Sequence, residues 1–131
     1  MNAIDTNVIV YFGEVGNEKF GRAAAVVSDG GIISVQVLNE FANVARRKSR
    51  RSWLEIEESI ALLRSLLDVR PMSARITEAA IGLAGRHGFH IYDALIVASA
   101  LEAGCDTLYT EDMHHGLVVE NRLTLVNPFA A

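Results

Sequence analysis

Short apolar runs alternate along this chain with longer segments whose apolar residues recur at helical spacing, and no other feature constrains the fold as much. Ala3-Ile4, Ile32-Ile33-Ser34, a stretch near Val69, Thr107 to Thr110 and Leu123 to Val126 read as strands. Val8 to Phe12 starts a short helix and Glu18 to Val27 forms another, before Gly30-Gly31 breaks the chain. Val35 to Arg47 is helical by its stripe of Leu38, Phe41, Ala42 and Ala45. Ser52 and Glu55 form a capping-box pattern, followed by Trp53, Ile56, Ile60, Leu63 and Leu67 on one face, with Trp53 read as packing. Ser73 to His87 carries Ile76, Ala80 and Leu83 and closes at Gly88, a C-cap position, and Tyr92 to Ala103 ends at Gly104. Strands separated by helices predict a parallel α/β sheet with helices on both faces.

The 131 residues fit one domain with a sizeable core. Half the residues are hydrophobic and 21% charged, which excludes a disordered chain. No apolar run reaches the ~18 residues needed to cross a bilayer. The N-terminus has no basic segment and carries an acid at position 5, so it does not read as a secretory signal. Cys105 is the only cysteine, which leaves no disulfide framework and too few ligands for a Cys-based zinc site. A reducing, cytoplasmic setting is expected. There is no P-loop, G-x-G-x-x-G, H-E-x-x-H or G-x-S-x-G.

The formal charge is -4, yet five of the twelve basic residues fall within Arg46, Arg47, Lys48, Arg50 and Arg51. An acidic body with one basic patch suits a polyanion held beside a negative centre that cations neutralise. A solvated helix end, its cations favoured by the helix dipole, is the alternative.

In open α/β sheets, sites form beyond the carboxyl ends of the strands. Asp5 follows the first strand and Asp112 the strand Leu108-Tyr109-Thr110. Glu40 lies in the second turn of the helix after Ile32-Ser34, and Asp93 in the first turn of its helix. Ile96, Val97, Ala100 and Leu101 follow Asp93 at helical spacing, so this acid sits on an apolar stripe where an unpaired charge is costly. Singly, each acid has a plainer reading: a turn residue, an exposed helix acid, a helix cap or a loop acid. Together they conflict. Two carboxylates ~6 Å apart at an effective dielectric of ~20 repel by roughly 3 kcal/mol, so four at one site need protons or a divalent cation. Carboxylate oxygens with waters suit Mg²⁺ and Mn²⁺, and such a site activates water and clamps a phosphodiester.

The ordered set of motifs resembles the PIN-domain family, particularly the VapC-like toxins of bacterial toxin–antitoxin pairs. It comprises Asp5-Thr6-Asn7-Val8, Asn39-Glu40-Phe41, Tyr92-Asp93-Ala94-Leu95-Ile96 and Leu108-Tyr109-Thr110-Glu111-Asp112-Met113, then Gly116 and Val126-Asn127-Pro128-Phe129. The resemblance spans essentially the whole chain. It implies a single PIN-like nuclease domain over residues 1–131, a three-layer sandwich with a mostly parallel central sheet flanked by helices. It also implies Mg²⁺- or Mn²⁺-dependent endoribonuclease activity, a cognate antitoxin and a homodimer. Asp5 and Asp93 would be the principal metal ligands, Glu40 and Asp112 would complete the catalytic set, and Thr6 and Thr110 would be supporting polar residues. Glu111 and Asp112 both qualify for the fourth position; Thr110-x-Asp112 has the family's spacing. Arg46, Arg47, Arg50 and Arg51 are expected to hold the RNA backbone. Two competing readings are a non-catalytic PIN-like RNA- or protein-binding adaptor, which typically loses site acids, and a phosphatase acting on small phosphoesters.

Overall fold

The computed structural model of the protein describes residues 1–130. Its strands are β1 (Asn2–Ile4), β2 (Ile32–Ser34), β3 (Asp68–Arg70), β4 (Thr107–Tyr109), β5 (Val118–Val119) and β6 (Leu123–Val126). Its helices are α1 (Thr6–Phe12), α2 (Phe20–Ser28), α3 (Val35–Arg47), α4 (Trp53–Leu66), α5 (Ala74–His87) and α6 (Ile91–Glu102). The strands form one sheet in the order β3-β2-β1-β4-β6-β5, parallel except for the β5–β6 pair.

Local chemistry sets where the helices begin. Asp5, Ser34, Ser52 and Ser73 are N-caps whose side chains accept a first-turn N–H, satisfying donors the helix leaves free. Ser52 and Glu55 close the full capping box, with bonds of 2.8 and 3.1 Å. Gly88 ends α5 at φ 73°, a left-handed cap. Gly31 enters β2 at φ 137°, where a Cβ would stand 2.4 Å from the Asn2 carbonyl oxygen, so only glycine lets β2 lie against β1.

Sheet order decides the layers. The chain steps outward from β1 to β2 to β3, then jumps back across β1 to β4. Right-handed crossovers therefore put α1 to α4 on one face and α5 and α6 on the other. Packing agrees: α1 lies on α2 and α3, α3 on α4, and α5 on α6. The strands are buried on both sides, with Ile4, Ile32, Ile33, Leu108, Leu123 and Leu125 almost fully enclosed. Cys105 is buried with them.

Three sequence-based expectations change. Between β4 and β6 lies β5, two residues long and not expected, joined to β6 by a tight turn. Both central residues of that turn, Glu120 and Asn121, have positive φ, and Arg122 N–H donates to the Val119 carbonyl. Second, α6 has no single apolar stripe. Every side chain from Ala94 to Ala100 is buried, as befits a helix enclosed on all sides. Third, Trp53 is not core. It is 60% exposed in the first turn of α4, with the Arg46 guanidinium 4.8 Å from its ring centroid.

Candidate active site

The order of the strands reverses between the parallel neighbours β1 and β4, and the site forms at their carboxyl ends. Register makes the placement specific. Ile4 pairs with Tyr109, so Asp5 and Thr110 come next side by side. Two more ladder bonds hold them there: Asp5 N–H donates to the Tyr109 carbonyl and Thr110 N–H to the Val126 carbonyl, both at 2.9 Å. The Thr110 hydroxyl donates to Asp5 Oδ2 at 2.7 Å, and Thr6 N–H donates to Oδ1 at 2.6 Å.

Asp5 is only 3% exposed. Burial disfavours its charge, the two hydrogen bonds oppose that, and Asp93 and Asp112 add repulsion, so its pKa is pushed up to about 7. Asp93, half-buried in the first turn of α6, is raised by burial, then by repulsion from Asp112, with His90 working the other way and Glu40 adding repulsion. All four predicted acids therefore lie within electrostatic reach of one another, although they come from four separate segments.

The supporting residues interlock with them. The Thr6 hydroxyl donates to Glu40 Oε1, and Gln36, one turn earlier on α3, donates to Oε2 at 3.0 Å. Thr110 Oγ1 also receives Asp112 N–H at 3.3 Å, which folds the 110–112 loop inward. The two adjacent acids of that loop part company. Glu111 forms an ion pair with Lys19 and accepts from the Tyr11 hydroxyl at 2.9 Å, while Asp112 is the one that faces Asp5 and Asp93. Lys19 in turn lies over the rings of Tyr11 and Phe129.

The donor set is all oxygen, which suits Mg²⁺ or Mn²⁺. Among the described residues no three His, Cys, Asp or Glu side chains converge on one ion-sized point. That arrangement still fits Mg²⁺, which usually takes one or two carboxylates directly and keeps several waters. Asp5 and Asp93, both destabilised as anions, gain most from a cation.

The basic cluster divides. Arg47 and Arg50 are exposed, Arg50 with φ 52°. Arg51 is committed inside the protein: it donates to the Gly13 carbonyl at 2.7 Å and to Ser59 Oγ at 3.4 Å. Arg46 bonds the Arg51 carbonyl and lies over Trp53. Lys48, not singled out for a site role from the sequence, lines a cleft of about 530 Å³ that reaches Glu40 and Asp112. Sequence reasoning also missed Asn43 and Tyr11 on that cleft; polar side chains at i and i+4 of α1 (Asn7, Tyr11) and at i and i+3 of α3 (Glu40, Asn43) were the available signal.

Residues 3–117 match the family profile of the PIN domain. The chain belongs to the PIN-domain family. Solved structures share the fold at low identity. A sarcin-ricin loop cleaving toxin of Mycobacterium tuberculosis, VapC20, is 22% identical with a TM-score of 0.72, covering 86% of this chain and 90% of its own. A toxin–antitoxin complex from Klebsiella pneumoniae gives 18% and 0.74, with 100% of both chains covered. VapBC2 of Rickettsia felis, bound to a DNA fragment from its promoter, gives 22% and 0.61, over 85% of this chain and 87% of that one. No curated protein matches in sequence.

Proposed function

We propose that this PIN-domain protein is a Mg²⁺- or Mn²⁺-dependent endoribonuclease, a hydrolase acting on RNA phosphodiester bonds, and the toxin of a toxin–antitoxin pair. The observation that carries the reading is the buried Asp5 with its pKa pushed up to about 7, faced by Asp93 and Asp112 at the strand switch point. A carboxylate held at such cost, with no cationic side chain bonded to it, is suited to a metal centre. The likeness to VapC20 and to two toxin–antitoxin assemblies supports the substrate class and the antitoxin partner.

In this reading residues 1–131 form a single nuclease domain that acts in the cytoplasm as a homodimer, and the antitoxin blocks the site. Asp5 and Asp93 hold the metal; Glu40 and Asp112 complete its surroundings directly or through water and orient the attacking water. The bound cation supplies charge neutralisation at the phosphodiester and a more acidic water. Thr110 and Thr6 keep Asp5 and Glu40 in fixed orientations by the bonds they donate. Arg47 and Arg50 hold the RNA backbone through exposed cations, while Arg46 and Arg51 shape the corner that presents them.

The test is cleavage of total RNA by wild type and Asp5→Asn purified in parallel, with Mn²⁺ and with EDTA. Cleavage by wild type alone, stopped by EDTA and reduced about a thousandfold or more by the substitution, is expected. Equal cleavage by both proteins, or none by either, overturns the assignment.

A further inference from the structure

The loop after β4 carries two adjacent acids, Glu111 and Asp112, and the protein treats them differently. Its backbone is fixed without either carboxylate. Glu111 N–H donates to Asn7 Oδ1 at 3.4 Å, and Asp112 N–H donates to Thr110 Oγ1 at 3.3 Å. The loop therefore keeps its shape whatever the Glu111 side chain does. Yet Glu111 lines the same cleft as Thr6, Glu40 and Asp112. A carboxylate on that wall, free to change rotamer, becomes a fifth acid facing a site where four already repel one another.

Two groups hold it aside. Lys19 pairs with Oε2 and the Tyr11 hydroxyl donates to Oε1 at 2.9 Å, so both oxygens of Glu111 are taken. Lys19 is itself held in place. Its Nζ stands 4.8 Å from the Tyr11 ring centroid and 5.3 Å from that of Phe129, and the two rings meet edge to face. Lys19 precedes α2, Tyr11 belongs to α1 and Phe129 follows β6, so three segments converge on a carboxylate the metal centre does not use. As a brace for the fold, a partly exposed ion pair of this kind contributes little. As a restraint on an acid beside four others, it sets the charge that the site presents.

We propose that Lys19 is a positioning residue that keeps the Glu111 carboxylate out of the acid cluster, so that only Asp112 of the two faces Asp5 and Asp93. This rests on the metal-dependent ribonuclease reading. Charge makes the proposal specific. The pair is neutral; loss of the lysine leaves a negative charge free to turn inward, loss of the glutamate leaves a positive one, and loss of both restores neutrality. A freed Glu111 adds one more carboxylate to those that meet a bound cation. Cation binding then tightens, while the position set by Asp5 and Asp93 is lost. Affinity and cleavage move in opposite directions, which a lysine that only braced the fold or only touched RNA would not produce.

The experiment compares wild type, Lys19→Met, Lys19→Arg, Glu111→Gln and the double variant Lys19→Met with Glu111→Gln. Mn²⁺ affinity is measured by calorimetry, and cleavage of total RNA at saturating Mn²⁺. Methionine keeps the apolar stem over the two rings, and arginine keeps the charge. Lys19→Met should bind Mn²⁺ about fivefold more tightly and cleave about tenfold more slowly, while Lys19→Arg stays near wild type. Glu111→Gln should bind about fivefold more weakly and cleave within about threefold of wild type. The double variant should return to within about twofold on both counts, a rescue that no brace gives. Lys48→Met removes a cleft cation that takes part in none of the ion pairs among the described residues, and should leave Mn²⁺ affinity within about twofold. Should Lys19→Met lower the unfolding midpoint by more than a few degrees, Tyr11→Phe replaces it; freeing Oε1 should shift both readouts in the same directions by less. If the single variant matches wild type, or if it is impaired and the double stays equally impaired, the proposal is overturned while the ribonuclease reading stands. If wild type cuts no RNA, that reading falls and the Mn²⁺ affinities alone decide this one.

Discussion

A single residue, Asp5, carries the largest electrostatic conflict in the protein. Its carboxyl titrates near 7 in the folded state against an ordinary value of 3.8. Between about pH 4 and about pH 7 the native state therefore binds more protons than the unfolded one, and stability falls as pH rises through that window. Stability is fullest below the unfolded value and is lost as pH passes the folded one. The full shift corresponds to roughly 4 kcal/mol. In EDTA, wild type should lose stability to urea from about pH 4 to about pH 7, whereas Asp5→Asn, isosteric and uncharged, should lack most of that slope and exceed wild type at the upper end. A flat wild-type profile would contradict this assignment of the charge conflict. Glu111 shows how local the effect is, because Lys19 and Tyr11 give it what Asp5 lacks. Sequence spacing could favour Asp112 over Glu111, but the ion pair that draws Glu111 aside depends on Lys19, 92 residues away.

Elements show where sequence reading reaches and where it stops. Helices α3, α4 and α5 were legible through apolar periodicity, joined in α4 by a capping-box pattern; the Ser34 and Ser73 caps emerge only in the fold. Strand β5 was not: two residues carry no periodicity, and Glu120-Asn121 lacks the Asn-Gly or Asp-Gly signature of a tight hairpin turn. The cleft face of α1 was hidden because Asn7 reads equally well as a turn residue. Charge in the segment between α3 and α4 was legible only as a sum. Its division into surface cations and internal braces follows from contacts with Gly13 and Ser59, which belong to other elements. The division predicts a contrast. Arg51→Ala should cost about 2 kcal/mol of stability, the scale of lost charge-assisted hydrogen bonds, while Arg47→Ala should cost under ~0.5. Denaturant midpoints of the two variants measure it directly, and equal costs would mean that Arg51 braces nothing.

At the scale of the whole molecule, the site is a product of topology. Asp5, Glu40, Asp93 and Asp112 meet because the chain reverses its order across β1, and none of the four is near another in sequence. The rule that sites lie at strand carboxyl ends made that meeting foreseeable; the side-chain bonds that orient Asp5 and Glu40 depend on register and were not. An unfolded chain scatters the acids, so a cation that binds them together binds the native state and raises its stability by mass action. At about 100 times its Kd, Mn²⁺ should raise the thermal midpoint of a domain this size by about 10 °C. Asp93→Asn should respond much less, and in EDTA it should match or exceed wild type, because a carboxylate that Asp112 and Glu40 repel is gone. The three comparisons separate a metal centre from a helix cap. An acid that merely caps α6 stabilises the helix through its charge, so its loss lowers the midpoint in EDTA and metal shifts neither protein. An acid of a metal centre gives the reverse on both counts, since the fold bears its repulsion until the cation relieves it.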